Sequence, residues 1–142
     1  MFLGTHQPKL DEKGRFFLPA KFREQLIDGL VVTRSQDRCL AIYPEATFLE
    51  MAQKMASGPS TVKGVRDFQR MLAAGASNEV PDKQGRITLP PQLRSYAGLE
   101  KDIVVVGAID RVEIWDQTAW ENYSNEQEPI FAQMNEEVVS GD

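Results

Sequence analysis

The feature that most constrains this chain is an internal repeat. Residues 10–19 match residues 81–90 at an offset of 71 positions. Any single match would carry little weight, but further matches follow in the same order. They are Phe22-Arg23 with Leu93-Arg94, Asp37-Arg38 with Asp110-Arg111, and residues 40–43 with residues 112–115. A repeat of this kind indicates one supersecondary unit built twice, so the two copies are expected to fold alike.

Each copy is predicted to contain several short strands and one helix. Pro19 and Pro90 suit the first turn of a helix, where the missing N–H is not needed. Those helices are expected to close at Gly29 and Gly98, since glycine is the usual residue just past a helix end. The last two strands of each copy have the spacing of a hairpin. The predicted strands are residues 2–10, 16–18, 30–33 and 40–43 in the first copy, and 76–80, 87–89, 103–106 and 112–115 in the second.

Two amphipathic helices are predicted between the copies. Ser57-Gly58-Pro59 separates them, and Ser60 is expected to cap the second. Their apolar stripes predict packing against the core or against a neighbouring subunit. The stripes are Phe48, Met51, Ala52, Met55 and Ala56, followed by Val62, Val65, Phe68 and Leu72.

These patterns divide the chain into four segments. Residues 1–50 and 76–123 are the repeats, residues 51–75 the connecting helices, and residues 124–142 an acidic tail. Ile130, Phe131, Met134 and Val138 recur in the tail at loosely helical spacing. Both a docking helix and partial disorder remain open for this segment.

Composition excludes several classes of protein. No apolar run approaches the roughly 20 residues of a membrane helix, and the first residues lack the layout of a secretion signal. Cys39 is the single cysteine, which leaves no internal disulfide and no cysteine-based zinc cluster. It begins an apolar strand and is expected in the core. We therefore expect a cytoplasmic protein without metal, cofactor or small-molecule substrate.

The net charge of −5 is unevenly distributed. Eleven acids and two bases follow residue 99, a balance of −9, so residues 1–99 carry ten acids and fourteen bases, a balance of +4. A basic working surface is therefore compatible with the acidic total.

The two loops of the repeat carry the residues best suited to DNA. Gly14 and Gly85 permit a tight turn, and the arginine that follows each of them presents a planar fork. Such a fork pairs bidentately with guanine O6 and N7 or with a phosphate. Asp11 and Asp82 are expected to bind loop amides or to orient Arg15 and Arg86. Lys13, Lys83 and Lys9 would add phosphate contacts.

The same residues carry a family resemblance. Both Asp-x-x-x-Arg loops are followed after two residues by Leu-Pro. Together with residues 1–4, Tyr43-Pro44 and residues 112–116, they make residues 1–123 resemble the MraZ family of the SpoVT/AbrB-type DNA-binding superfamily. Pro8 and Pro81 depart from the pattern, because proline in the strand leading to each loop would weaken sheet pairing.

The resemblance implies both a fold and a function. The fold is α+β, mainly β with helices, in which duplicated AbrB-like half-barrels form one compact pseudo-twofold β-barrel. The function is that of a nucleoid-associated regulator, typically a repressor, of the bacterial division and cell-wall gene cluster. Such proteins form ring-like homo-oligomers and bind tandem repeats in double-stranded DNA upstream of their own operon. By the family pattern, Arg15 and Arg86 contact the DNA.

Three alternatives remain beside DNA binding. The loops could be plain β-turns with a surface ion pair, or the arginines could join subunits in a ring-forming assembly protein that reads no DNA. Asp11 and Asp82 could also meet as a catalytic dyad across a twofold axis. The neighbouring arginines would keep both carboxylates charged, which works against proton sharing and against an enzyme. The aromatic residues Tyr43, Phe48, Trp115 and Trp120 are expected to be core or interface anchors.

Overall fold

The computed structural model describes residues 1–135, which form an α+β domain, and this confirms the predicted fold class. No helix among these residues is long and apolar enough to cross a membrane. The strands are β1 (Thr5–His6), β2 (Arg15–Phe17), β3 (Leu30–Arg34), β4 (Leu40–Pro44), β5 (Ser77–Glu79), β6 (Arg86–Thr88), β7 (Ile103–Gly107) and β8 (Val112–Asp116). The helices are α1 (Ala20–Leu26), α2 (Glu45–Ala56), α3 (Lys63–Gly75), α4 (Pro91–Tyr96) and α5 (Gln117–Ala132).

The two copies of the repeat exchange their first strands. β1 of the first copy pairs antiparallel with β7 of the second, with His6 opposite Val105. β5 of the second copy pairs with β3 of the first in the equivalent register, with Ser77 opposite Val32. β4 and β8 join the halves, which gives the sheet order β1-β7-β8-β4-β3-β5. Each copy completes the other, so the pair forms one folding unit.

A pseudo-twofold axis relates the copies. It passes near Ala41 opposite Glu113 in the six-stranded sheet and near Phe16 opposite Ile87 in a ribbon formed by β2 and β6. The residues in each pair are repeat equivalents. Phe16 and Ile87 are only 1% and 2% exposed, and both belong to a single core shared with the large sheet. Because alternate residues of a strand face opposite sides, their neighbours on β2 and β6 face outward.

The predicted helix boundaries are confirmed within each repeat. α1 begins directly after Pro19, and Pro90 precedes the first residue of α4. Gly29 and Gly98 follow the ends of these helices within three residues. The expected core position of Cys39 is also confirmed, since the side chain is 1% exposed. Burial raises the pKa of its thiol to about 12.

The prediction of a helix cap at Ser60 is wrong. α3 begins at Lys63, and Val62 occupies the cap position without a side-chain hydrogen bond. The expectation that Pro8 and Pro81 weaken sheet pairing is wrong, because both lie outside the ladders. β1 ends before Pro8 and β5 ends before Pro81, so neither proline removes a hydrogen bond from a paired strand.

The apolar stripes of α2 and α3 are not fully covered by the core. No α2 residue is fully buried, and on α3 only Gly75 is. Phe68 is 46% exposed, so core packing accounts for only part of the stripe. In the tail, α5 continues to Ala132 and is a helix as far as that residue. Val138 lies outside the described residues.

Candidate nucleic-acid interface

Each arginine loop is closed by its own aspartate. Asp11 Oδ1 accepts hydrogen bonds from the backbone N–H groups of Lys13 and Arg15, both at 2.9 Å. The N–H of Gly14 donates to the carbonyl of Asp11 at 3.0 Å. Gly14 has a φ of +79°, a conformation that residues with a Cβ rarely adopt. In this geometry the loop is closed by hydrogen bonds to the acid and by the positive φ of the glycine.

The second loop repeats this geometry. Asp82 Oδ1 accepts from the N–H groups of Gln84 and Arg86 at 2.9 and 2.8 Å. Gly85 donates to the carbonyl of Asp82 at 2.9 Å and has a φ of +82°. The agreement holds although the two intervening residues differ in charge, so their charges do not determine the loop shape.

The same aspartates hold the guanidinium groups. Arg15 Nε donates to Asp11 Oδ2 at 2.8 Å, and Arg86 Nε donates to Asp82 Oδ2 at 2.9 Å. Among residues 1–135, neither arginine uses its two terminal nitrogens in a hydrogen bond or ion pair. Each fork is thus oriented at its base and free at its tip, the arrangement that bidentate recognition of a base edge or phosphate needs.

Both aspartates remain ionised at neutral pH. The pKa of Asp11 lies below its usual value, first because the backbone N–H of Arg15 donates to it and then because of the Arg15 side chain. The pKa of Asp82 is lowered in the same way by Arg86. Two charged, arginine-bound carboxylates cannot share a proton, so these residues lack the chemistry of an acid dyad.

The β2–β6 ribbon brings the two loops to one surface. The N–H of Leu18 donates to the carbonyl of Gly85 at 3.0 Å, and the N–H of Leu89 donates to that of Gly14 at 2.8 Å. Arg15 lies opposite Thr88 and Arg86 opposite Phe17 in the ribbon. The outward surface therefore carries four side chains, which we call the ribbon face: Arg15, Phe17, Arg86 and Thr88.

A second pair of arginines supports the loops across the pseudo-axis. A Cβ added to Gly85 would lie 2.4 Å from the Arg23 guanidinium, and one added to Gly14 would lie 2.7 Å from that of Arg94. Arg23 Nη2 and Arg94 Nε donate to the carbonyls of Leu18 and Leu89, both at 3.0 Å. Each helix arginine therefore packs beneath the loop of the other copy. Sequence analysis missed this role, although the recurrence of Arg23 as Arg94 was its signal.

The three candidate lysines occupy different settings. Lys13 and Lys83 lie on the loops and are exposed. Lys9 forms an ion pair with Asp102, and that pair lowers the pKa of the carboxyl group. Lys9 therefore already has an acidic partner, whereas neither loop lysine forms an ion pair within residues 1–135.

Replacing both loop aspartates by asparagine tests whether their charge positions the arginines. In Asp11→Asn/Asp82→Asn, the amide oxygen can still accept the loop N–H groups, but the charge-assisted contact to each Nε is lost. We expect the Kd for DNA to rise about tenfold, comparable to the loss of one net hydrogen bond. Fluorescence anisotropy with a labelled duplex measures this.

Acidification is an independent way to remove the carboxylate charges of Asp11 and Asp82. The pKa of each aspartate in the folded protein lies below its ordinary value. The stabilisation from each aspartate–arginine contact is therefore fully present at a pH above the ordinary pKa, and it is lost only as the pH falls through the lowered folded pKa. The control for the double asparagine variant is Asp67→Asn, which removes a surface ion-pair acceptor on α3 and, where its oligomer mass equals that of the wild type, should bind as the wild type does. An unchanged Kd in the double variant would show that the charge has no orienting role.

Two copies of one unit that exchange a strand and present matched arginine loops on a shared ribbon define an internally duplicated α+β protein. A family model described as "MraZ protein, putative antitoxin-like" matches twice, over residues 1–71 and over residues 72–140. The chain therefore belongs to the MraZ family.

Relatives with nearly the same length support this assignment. A protein of Cutibacterium acnes named transcriptional regulator MraZ is 71% identical over 140 residues, which cover 99% of both chains. Proteins of the same name from Kineococcus radiotolerans and Thermobifida fusca are 58% and 55% identical over 141 residues, again with 99% coverage of both chains.

Proposed function

We propose that this chain is a sequence-specific, double-stranded DNA-binding transcriptional regulator that acts as a repressor of the bacterial division and cell-wall gene cluster. The observation that carries the proposal is the pair of matched loops, each with an arginine tied by Nε to an aspartate and free at its tip. The names of the relatives, transcriptional regulator MraZ, point to the same class. The proposed place of action is the nucleoid in the cytoplasm.

The proposed contacts divide into two kinds. Arg15 and Arg86 read guanine edges in the major groove, which is wide enough to admit a two-stranded β-ribbon. Lys13 and Lys83 contact phosphates and fix the register without reading sequence. Lys9 contributes a weaker phosphate contact because Asp102 competes for it. Residues 1–50 and 76–123 then form the DNA-contacting repeats.

Two loops alone supply modest affinity, so we propose that the protein binds tandem repeats upstream of its own operon as a ring-like homo-oligomer. Linking several weak contacts raises overall affinity through effective concentration. In this proposal, residues 51–75 and 124–135 form the contacts between subunits. A head-to-tail interface of this kind joins two different surfaces and forms a ring when the rotation closes.

Two uncovered apolar surfaces support such an interface. One is a groove of about 430 Å³ between the sheet and helices α2 and α3, lined by Met51, Phe68 and Met71 and bordered by Arg34 and Arg111. The other is the end of α5. Ile130, Phe131 and Met134 are exposed there, on a segment that carries acidic residues and no lysine or arginine. Apolar contact favours inserting the α5 end of one subunit into the groove of the next. Arg34, which forms no ion pair within residues 1–135, adds a positive charge beside the groove, whereas Arg111 is already paired with Asp110 and Glu113.

Phe131→Glu is expected to break this assembly. Phe131 is 71% exposed in the single chain, so a charge there should not disturb the fold, but it would be costly to bury in an apolar groove. Light scattering coupled to size-exclusion chromatography should show a smaller species, and affinity for a multi-repeat DNA should fall about a hundredfold. Ile27→Glu, at an exposed apolar residue beyond the groove, is the control. A wild-type mass for Phe131→Glu would rule out this interface.

A promoter reporter tests the regulatory direction. The upstream region of the gene is fused to a reporter, and expression is compared between wild-type protein and Arg15→Ala/Arg86→Ala. Repression predicts low output with the wild type and high output with the variant. The reverse order would identify an activator, and equal output would remove the proposed regulation. Equal output together with an intact oligomer would favour a ring-forming assembly protein.

A further inference from the structure

The pseudo-twofold symmetry of the ribbon face is broken at one position. Arg15 and Arg86 are repeat equivalents, and so are the inward residues Phe16 and Ile87. The remaining outward position is Phe17 in the first copy and Thr88 in the second. The backbone register is symmetric through all three pairs, so the difference lies in these side chains and not in the fold.

Phe17 is exposed and contacts the loop of the other copy. Its side chain is 53% exposed, although the adjacent Phe16 is buried in the core. The ring lies opposite Arg86, with the guanidinium carbon 5.9 Å from the ring centroid, within the range of a cation–π contact. Arg86 is thus held by Asp82 at Nε and by an aromatic ring, whereas Arg15, opposite Thr88, has only its aspartate.

The loops also differ in charge. The residues between the acid and the glycine are Glu12 and Lys13 in the first loop and Lys83 and Gln84 in the second. The first loop therefore carries one more negative charge than the second. The half with the more constrained arginine is also the more positive half.

We infer that the two halves of the ribbon face read DNA unequally, with Phe17 contacting a thymine methyl group beside the guanine paired with Arg86. The inference rests on the proposed DNA-binding function. It adds a second recognised base, the thymine, to the guanines that the proposed function assigns to the arginines. In the major groove only thymine presents a methyl group, and both phenylalanine and the threonine methyl group can contact it. The ring of Phe17 extends farther from the ribbon than the methyl group of Thr88, which is attached directly to Cβ, so we assign the contact to Phe17.

The consequence is a polarity in recognition. The half with Arg86 and Phe17 selects a guanine and an adjacent thymine, whereas the half with Arg15 and Thr88 makes no aromatic contact. One protomer then reads an asymmetric element in a single orientation, although its backbone is nearly twofold symmetric. Elements read by successive protomers of a head-to-tail ring would run in the same direction.

A uracil scan tests the methyl contact. Each thymine of a duplex from the upstream region is replaced singly by deoxyuridine, which removes the methyl group and leaves the base pairing intact. Burial of one methyl group corresponds to about a fourfold change in Kd. We expect the wild type to lose about fourfold at a thymine on one side of the recognised guanines, and Phe17→Thr to show no loss at that position.

The reciprocal variant keeps the test decisive if Phe17→Thr is unstable. Thr88→Phe places a ring at the equivalent position of the other half and should create a second uracil-sensitive thymine on the opposite side of the element. Uracil sensitivity that is unchanged in Phe17→Thr, or a scan with no sensitive thymine, would overturn the inference. So would a change in oligomer mass in Phe17→Thr without any change in the scan, since Phe17 would then be a subunit contact.

The outcomes also separate this inference from the proposed function. If the wild type binds the unmodified duplex no better than a scrambled one, the DNA-binding function itself fails and both ideas fall. If the wild type binds specifically and loses that binding in Arg15→Ala/Arg86→Ala, a flat uracil scan removes only the role of Phe17.

Discussion

Arg15→Ala/Arg86→Ala should lose sequence-specific DNA binding while keeping its fold and its oligomer mass. Both guanidinium groups bond to residues of their own loops through Nε only, so their removal leaves the core and the ribbon ladder intact. Each bidentate contact to a base is worth about 1–3 kcal/mol of discrimination. Loss of both should therefore raise the Kd for the upstream DNA by about two orders of magnitude or more.

The matched control removes the same charge from a different surface. Lys54→Ala/Arg70→Ala takes one base from α2 and one from α3, outside the ribbon. Because both helices belong to the proposed subunit contacts, the comparison is made where the oligomer mass of this variant equals that of the wild type. A nonspecific charge effect would weaken both double variants alike, whereas a contact role weakens only the loop variant. Retention of specific binding by Arg15→Ala/Arg86→Ala would contradict the proposal, and a fall in its oligomer mass would assign the arginines to subunit contacts.

Gly85→Ala should destabilise the fold strongly. The positive φ of Gly85 costs an alanine about 1–2 kcal/mol. The new methyl group would also meet the Arg23 guanidinium at 2.4 Å and displace it from the carbonyl of Leu18, at a further cost of about 1 kcal/mol. We expect a loss of about 2–3 kcal/mol, or roughly 5–15 °C in the thermal midpoint measured by differential scanning calorimetry.

Two other glycines separate the cost of the positive φ from the cost of the contact with Arg23. Gly98 has a φ of +63° and no atom within 4 Å of an added Cβ, so Gly98→Ala should show the cost of strain alone. Gly64 has neither constraint and lies in α3, so Gly64→Ala should be neutral or stabilising by up to about 1 kcal/mol. If Gly85→Ala and Gly98→Ala lost equal stability, the contact with Arg23 would contribute nothing.

The sequence predicted the parts of the fold that depend on local pattern. The offset of 71 predicted two equivalent units, and Pro19 and Pro90 marked the starts of their helices because their effect is confined to the neighbouring backbone. The exchange of β1 and β5 between the copies was not predicted. Alternation of apolar residues indicates which side of a strand is buried, but it does not identify the strand that lies beside it.

In the candidate site, too, features within one loop differ from contacts between the two copies. The roles predicted for Asp11 and Gly14 depend on spacing within one turn, where Asp11 accepts two loop N–H groups and Gly14 has a positive φ. The contact of Arg23 with the opposite loop and that of Phe17 with Arg86 both cross the pseudo-axis. Such contacts depend on the register between copies, which no sequence motif within one copy encodes.

The exposed helical stripes mark another limit of the pattern. The spacing of Phe68 and its neighbours predicted an apolar surface correctly, but periodicity does not distinguish a surface covered by the core from one covered by another subunit. The structure leaves Phe68 half exposed beside the groove. The pattern thus indicated an amphipathic helix. In the proposed assembly, the exposed part of its apolar stripe is covered by another subunit.

The most direct test of the central claim is the binding preference of the wild-type protein. Fluorescence anisotropy compares a duplex from upstream of the gene with a scrambled duplex of the same length and composition, at several salt concentrations. We predict a lower Kd for the upstream duplex at every salt concentration, with affinity falling steeply as salt rises because phosphate contacts release counterions. Equal affinity for the two duplexes throughout would contradict the proposal that the arginine loops read DNA sequence.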